Sequence, residues 1–152
     1  APRFVSAPMQ WGLDNEHGAK SGYEFMRGVE VGPAVFVTHP RLLMAGASPD
    51  GLIAPSGQVE IKCPNTASHI DTLLTETVPA QYRDCQIQWQ LACTGGEWCD
   101  YVSYDPRLPP DMQLFVARVG RDEERIAVLE NAVHEFLAEL DDTLARLRQR
   151  AA

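Results

Sequence analysis

The sequence predicts an α/β (α+β) fold, a mixed central β-sheet flanked by helices, in a single domain spanning 1–152, and three observations carry that expectation. Short apolar or alternating segments cluster between residues 34 and 63 and again between 98 and 119. A helical rhythm brackets and interrupts them over 10–27, 80–94 and 122–148. Composition agrees, because 152 residues at 45% hydrophobic and 22% charged suffice to fill one core. Strands grouped on either side of a helix and closed by further helices give a mixed sheet in two or three layers.

The elements follow in order. Residues 1–9 read as an extended arm carrying Pro2 and Pro8. Over 10–27, Trp11, Asn15, Ala19, Tyr23 and Met26 fall along one side of a helix that Gly12, Gly18 and Gly22 weaken. Strands are expected at 34–38 and 42–47, the second running into Ser48-Pro49-Asp50, and a third at 59–63. Pro64 and Asn65 stop the third strand, and 66–77 looks partly helical. After Pro79 a firm helix runs over 80–94, with Tyr82, Cys85, Trp89 and Ala92 or Cys93 on its buried side and Gly95-Gly96 closing it. Residues 98–104 and 113–119 alternate as two more strands. The segment 122–148 is the clearest helix, with Ile126, Leu129, Val133, Phe136, Leu137, Leu140, Leu144 and Leu147 recurring on one side. Acids at its start and arginines at its end suit the helix macrodipole. Core packing is the expected role of that stripe, and partner binding the alternative.

Composition excludes several classes. No apolar run approaches the roughly 20 residues that span a bilayer, and no basic-plus-apolar signal segment opens the chain, so a soluble intracellular protein is expected. Cys63, Cys85, Cys93 and Cys99 lack the C-x-x-C spacing of a zinc or iron–sulfur site and read as free buried thiols. The net charge of −8 argues against a simple DNA-binding module, which is usually basic. It is compatible with a nuclease whose catalytic acids are neutralised by divalent ions.

The chemistry concentrates in Ser48-Pro49-Asp50-Gly51 and Glu60-Ile61-Lys62. On a strand Glu60 and Lys62 share one face, while Val59, Ile61 and Cys63 share the other. Turn residues at Asp50-Gly51 and Pro55-Ser56-Gly57 let Asp50 fold back toward Glu60. Two carboxylates suit a hard cation such as Mg²⁺, which takes oxygen ligands and keeps several waters. Asp50 bridging two ions, with Glu60 and the Ile61 backbone carbonyl completing one site, would support in-line phosphodiester hydrolysis. Lys62 would orient or help deprotonate the water, or stabilise charge growing on the phosphate. A surface hairpin carrying a Glu–Lys pair also explains the spacing.

Further segments share an order with these. They are Met9-Gln10-Trp11-Gly12-Leu13-Asp14-Asn15-Glu16, Ser48-Pro49-Asp50-Gly51-Leu52, Glu60-Ile61-Lys62-Cys63-Pro64, Cys85-Gln86-Ile87-Gln88-Trp89-Gln90-Leu91 and Tyr104-Asp105-Pro106-Arg107. Together, over residues 10–107, they resemble the lambda-exonuclease-like (YqaJ-type) viral recombinase and alkaline exonuclease family of the PD-(D/E)XK nuclease superfamily. The resemblance implies a restriction-endonuclease-like core and a catalytic set of Glu16, Asp50, Glu60, Lys62 and Gln86. Asp50, Glu60 and the Ile61 carbonyl would hold two Mg²⁺ ions, with Mn²⁺ able to substitute. Glu16 would reach the metal through water, and Gln86 would hydrogen-bond Lys62. Gln88 and Gln90 alternate with Gln86 without sharing its helical face, which places at least one of them in solvent. His17 follows Glu16 and would point away from it, His39, His69 and His134 have no partner at ligand spacing and read as ordinary surface or core histidines, and Arg107 is a candidate for the DNA backbone or a neighbouring subunit.

The implied activity is digestion of one strand of double-stranded DNA from its 5′ end, exposing 3′ overhangs for a single-strand-annealing partner. The implied assembly is a homotrimeric ring around DNA, basic within and acidic outside, and the implied setting is the cytoplasm of a bacterial host carrying a phage or prophage. The family's segment ahead of the first helix, which supplies an arginine for the 5′-terminal phosphate, has no counterpart among the numbered residues. A non-ring PD-(D/E)XK endonuclease or repair nuclease is the alternative enzyme, and a catalytically silent DNA-binding domain the alternative of another class.

Overall fold

The computed structural model describes residues 6–151. The expected arm at 1–9 lies largely outside them, and its last residues already belong to a helix. Helix α1, Ala7–Arg27, starts at Ser6, whose side chain accepts from the Met9 amide, and stops at Gly28 in the left-handed region. Ala19 and Tyr23 are its buried residues, while Met26 is exposed, so the buried face is narrower than the periodicity predicts. Gly18 earns its place by packing: a Cβ there would lie 3.4 Å from the Tyr104 hydroxyl, so the helix can lie close against the sheet.

The strand block differs from expectation at one point that matters. Strands β1, Val37–Thr38, and β2, Gly46–Ala47, pair only with each other as a small antiparallel ribbon. The main sheet begins with β3, Gly51–Ile53, in a stretch read as turn. Asp50 therefore precedes a strand of the main sheet and does not end the 42–47 segment. The order is β3-β4-β5-β6, with β4 at Gly57–Lys62, β5 at Trp98–Tyr104 and β6 at Leu114–Gly120. The β3–β4 and β5–β6 pairs are antiparallel and the central β4–β5 pair is parallel. A parallel pair needs a crossover. Here it runs through α2, Thr66–Thr75, a π-helical turn at Tyr82–Gln86, and α3, Ile87–Thr94. Asn65 caps α2 by accepting from the Ser68 amide, and Gly95 closes α3 in the left-handed region.

Helices cover both sheet faces. Val59, Ile61 and Val102 pack with Ala19 and Tyr23 of α1. Cys99 and Tyr101 pack with Ile87, Leu91 and Ala92 of α3 and with Ile126 of α4, Glu123–Ala151. Here the sequence expectation needs correcting. The core-packing role of the last helix is confined to its first turns: Ile126 is buried, but Phe136, Leu140, Leu144 and Leu147 are exposed among the described residues. Two of the four free thiols, Cys93 and Cys99, are buried, whereas Cys85 is exposed. His39 stacks on Trp89 and is buried, as is His69 against Ser103, and His134 is exposed.

A buried acid rivets β5. Asp100 accepts from Arg118 at 2.8 Å and 3.0 Å and from the Tyr23 hydroxyl at 2.8 Å, with Arg118 lying flat on Trp98. Gly57 is paired beside Trp98, and a Cβ at that position would fall 2.2 Å from the ring. Arg118 also packs on that ring, 3.5 Å from its centre, which limits how far it can shift. Gly57→Ala is therefore expected to cost about 1–3 kcal/mol through overpacking, read as a drop of several degrees in melting temperature. A melting curve matching the wild type would show that the ring has room to move.

Candidate active site

Strand β3 is short, so the ladder between β3 and β4 ends at the Gly51–Val59 pair. Glu60, Ile61 and Lys62 run on beyond it, and Asp50 sits alongside them. Its Oδ2 accepts a 2.6 Å hydrogen bond from the Ile61 amide. Asp50, Glu60 and Lys62, predicted as one group, are thus brought together, and the surface-hairpin reading fails: Glu60 is 1% exposed.

A buried carboxylate needs donors, and Glu60 has three. Lys62 Nζ forms an ion pair with its Oε1. Gln86 Nε2 donates to Oε1 and Gln90 Nε2 to Oε2, both at 2.6 Å. Gln86 is accordingly held by Glu60, not by Lys62 as the resemblance implied. The Gln86 amide nitrogen and the Lys62 ammonium, both donors, share one acceptor, Glu60 Oε1. Gln90 is also 2% exposed, which corrects the expectation of a solvated residue. Gln86 and Gln90 are four positions apart and so do share a helical face, across the junction of the π-helical turn and α3. Gln88 is buried on another face, donating to the Gly120 carbonyl and accepting from the Asp122 amide.

The charges act strongly on one another. Burial, then the nearby Glu60 carboxylate, pushes the Asp50 carboxyl up to about 7, and Glu16 adds to the rise. The Ile61 amide and Lys62 oppose it. Burial pulls on the Lys62 ammonium in the other sense, but Glu60 and Asp50 outweigh it and hold Lys62 above its ordinary value. Its ammonium also lies 5.0 Å from the centre of the Tyr82 ring. Cys63 is pushed up to about 11 by burial and by Glu16, Asp50 and Asp105, so it stays a neutral thiol and is no nucleophile at ordinary pH.

Glu16 stands on α1, half-buried, with its charge felt by both Asp50 and Cys63. It does not close a compact cluster: among the described residues no three of His, Cys, Asp and Glu converge as metal ligands. The donor set is two closely coupled, mostly buried carboxylates with oxygen atoms only. That fits a hard cation that retains water better than a metal that prefers thiolate or imidazole ligands. Arg107, also singled out by sequence, is held by Asp105 at 2.8 Å and 2.9 Å and lies 4.1 Å from the centre of the Trp11 ring. Those hydrogen bonds hold Asp105 well below the usual carboxylate range. Sequence reasoning missed Gln90, and the Gln-x-x-x-Gln spacing from Gln86 was the signal that could have found it.

Comparison with known proteins identifies the family. Residues 1–97 match the YqaJ-like viral recombinase domain. The alkaline exonuclease LHK-Exo of Laribacter hongkongensis is 45% identical, with a TM-score of 0.94 over 99% of this chain and 77% of that one. The same enzyme in complex with dAMP gives 44% identity and a TM-score of 0.95 over 100% and 77%. A phage-related exonuclease from Haemophilus somnus 129PT shares the fold alone, at 15% identity and a TM-score of 0.64 over 92% of this chain and 77% of that one. No curated protein matches. With a family match over most of its length and the same fold as an enzyme nearly half identical to it, the chain belongs to the YqaJ-like viral recombinase family.

Proposed function

We propose that this protein is a Mg²⁺-dependent exonuclease that digests one strand of double-stranded DNA from its 5′ end, leaving 3′ overhangs for single-strand-annealing recombination. The observation that carries the reading is the meeting of Asp50, Glu60 and Lys62 at the open end of β4. The relative captured with dAMP supports it, because dAMP has the base, sugar and phosphate of one unit released from DNA.

Asp50, Glu60 and the Ile61 carbonyl would hold the ions, two of Mg²⁺ or of Mn²⁺ in its place. When bound, such ions acidify water and neutralise the charge of the reacting phosphate. Asp50 is poised for this because its proton is only weakly held near neutral pH. Lys62 is kept charged by its neighbours, which suits it to orient the nucleophile and stabilise the phosphoryl oxygens and disfavours it as a base. Glu16, whose charge reaches Asp50 from α1, would act through water. Gln86 fixes the Glu60 carboxylate. Half-exposed Arg107, preset by Asp105 and Trp11, is suited to a backbone phosphate of the DNA. A homotrimeric ring, working in the bacterial cytoplasm beside an annealing protein, reconciles a net charge of −8 with a DNA substrate. Only its inner wall need be basic, and enclosure would replace affinity as the source of processivity.

End-labelled linear duplex and closed circular DNA test the activity. Mg²⁺-dependent release of label from 5′ ends with the circle left intact is expected, and nicking of the circle would replace the exonuclease with an endonuclease. Asp50→Asn should reduce digestion at least about 100-fold. It should leave the melting temperature unchanged or raised, because it removes a carboxylate repelled by Glu60.

The pH dependence has a definite sign. Asp50 titrates near 7 when folded against an ordinary value of 3.8, so between those limits the folded protein keeps a proton that the unfolded chain has lost. Metal-free stability therefore gains from Asp50 below about pH 4 and loses that gain as pH rises through about 7. Cation binding requires the deprotonated form, so stabilisation by Mg²⁺ should be larger at pH 8 than at pH 6. Asp50→Asn should flatten both trends, and persistence of either in that variant would assign it to another group.

A further inference from the structure

We infer that Gln90, backed by Gln58, is a positioning residue that presets the Glu60 carboxylate for a divalent cation. This rests on the metal-dependent reading of the site and extends it to two residues outside the predicted catalytic set.

The observation is a one-way chain of hydrogen bonds that runs through a half-buried threonine into the interior and ends on one carboxylate oxygen. It starts at a backbone donor, the Gly96 amide, which donates to Thr94 Oγ1 at 3.1 Å. With its oxygen so engaged, the Thr94 hydroxyl donates to Gln58 Oε1 at 2.9 Å. Gln58 Nε2 donates to Gln90 Oε1 at 3.0 Å, and Gln90 Nε2 donates to Glu60 Oε2 at 2.6 Å. Gln58 is 0% exposed and Gln90 2%, so water cannot substitute for the two inner links, Gln58 to Gln90 and Gln90 to Glu60. The direction is dictated at both ends. A carboxylate only accepts, so the amide facing it must present nitrogen. That leaves Gln90 oxygen for Gln58, and Gln58 oxygen for the one hydroxyl within reach.

Such a chain does what a cation at the same place could not. It satisfies a buried carboxylate and fixes its plane without neutralising it, so the negative charge remains available to a metal. The two oxygens are treated differently. Oε1 is shared by Lys62 and Gln86, which lie toward the half-exposed reaction side. Oε2 is tied to the interior through Gln90 alone. Were Gln90 apolar, Glu60 could rotate about its last bond while keeping Lys62, and a metal would first have to restore its orientation.

The test is direct Mg²⁺ or Mn²⁺ titration by calorimetry on the DNA-free full chain, paired with the metal dependence of digestion. Gln90→Met should weaken cation binding about 10–100-fold, the range typical of residues that orient metal ligands. Digestion at saturating Mg²⁺ should recover most of the wild-type rate. Gln58→Met, one link further out, should shift binding in the same direction by less, and it carries the test should Gln90→Met fail to fold. Gln88→Met removes a buried glutamine of the same helix that is hydrogen-bonded elsewhere; it should cost stability and leave cation affinity unchanged. Unchanged affinity in both Gln90→Met and Gln58→Met, or an equal loss in Gln88→Met, would overturn the inference. A wild-type chain that binds no divalent cation would instead remove the metal-dependent reading on which it rests.

Discussion

The structure turns on one constraint: a carboxylate has been placed inside a sheet. Burying an uncompensated charge costs several kcal/mol even after the protein relaxes, so Glu60 dictates what may surround it. Lys62 must be on the same strand face, Gln86 and Gln90 must be on one helix turn opposite, and Gln58 must face inward one layer deeper. Much of the crossover between β4 and β5 follows from this. The π-helical turn at Tyr82–Gln86 leads directly into α3, so Gln86 sits at its end and Gln90 one turn further on. Such turns are rare outside functional sites because they give up regular hydrogen bonding.

Rigidity comes from elsewhere in the sheet. The two β5-side acids, Asp100 and Asp105, each grip an arginine whose flat face lies on a tryptophan. The first ties β5 to β6 through Arg118 and to α1 through Tyr23, and the second ties the exit of β5 to α1 through Trp11. The strand carrying Glu60 is paired along its whole length with this braced strand. An ion site built from only two carboxylates, as proposed here, would demand that kind of stiffness, because few ligands leave little to correct a misplaced one.

Much of this was legible in the sequence, for identifiable reasons. Strand alternation put Glu60 and Lys62 on one face, and the structure keeps them there. Residues 98–104 alternate over a full strand and were read at their observed limits. Short elements were harder: Gly51-Leu52-Ile53 carries a turn signal at its first residue and too few positions to show alternation, so β3 was invisible. Helical periodicity assumes regular winding, and the π-helical turn broke that assumption at Cys85, predicted buried and found exposed. The last helix shows the opposite limit, since its apolar rhythm is unmistakable but does not reveal what the stripe covers. The partners of Asp100 and Gln58 are side chains far away in sequence, and no local pattern encodes them.

The brevity of β3 has one more consequence. A central strand left unpaired on one side is a template onto which a foreign strand can add, the usual seed of sheet-to-sheet association. Beyond Val59, β4 presents such a margin. It is closed by a side chain: the Asp50 carboxylate takes the Ile61 amide that a longer neighbour strand would have taken, and the charges of Glu60 and Lys62 flank it. The same few atoms that equip the cleft for chemistry therefore also act as gatekeepers of solubility. An evolutionary path that discarded the chemistry would still have to keep this margin guarded.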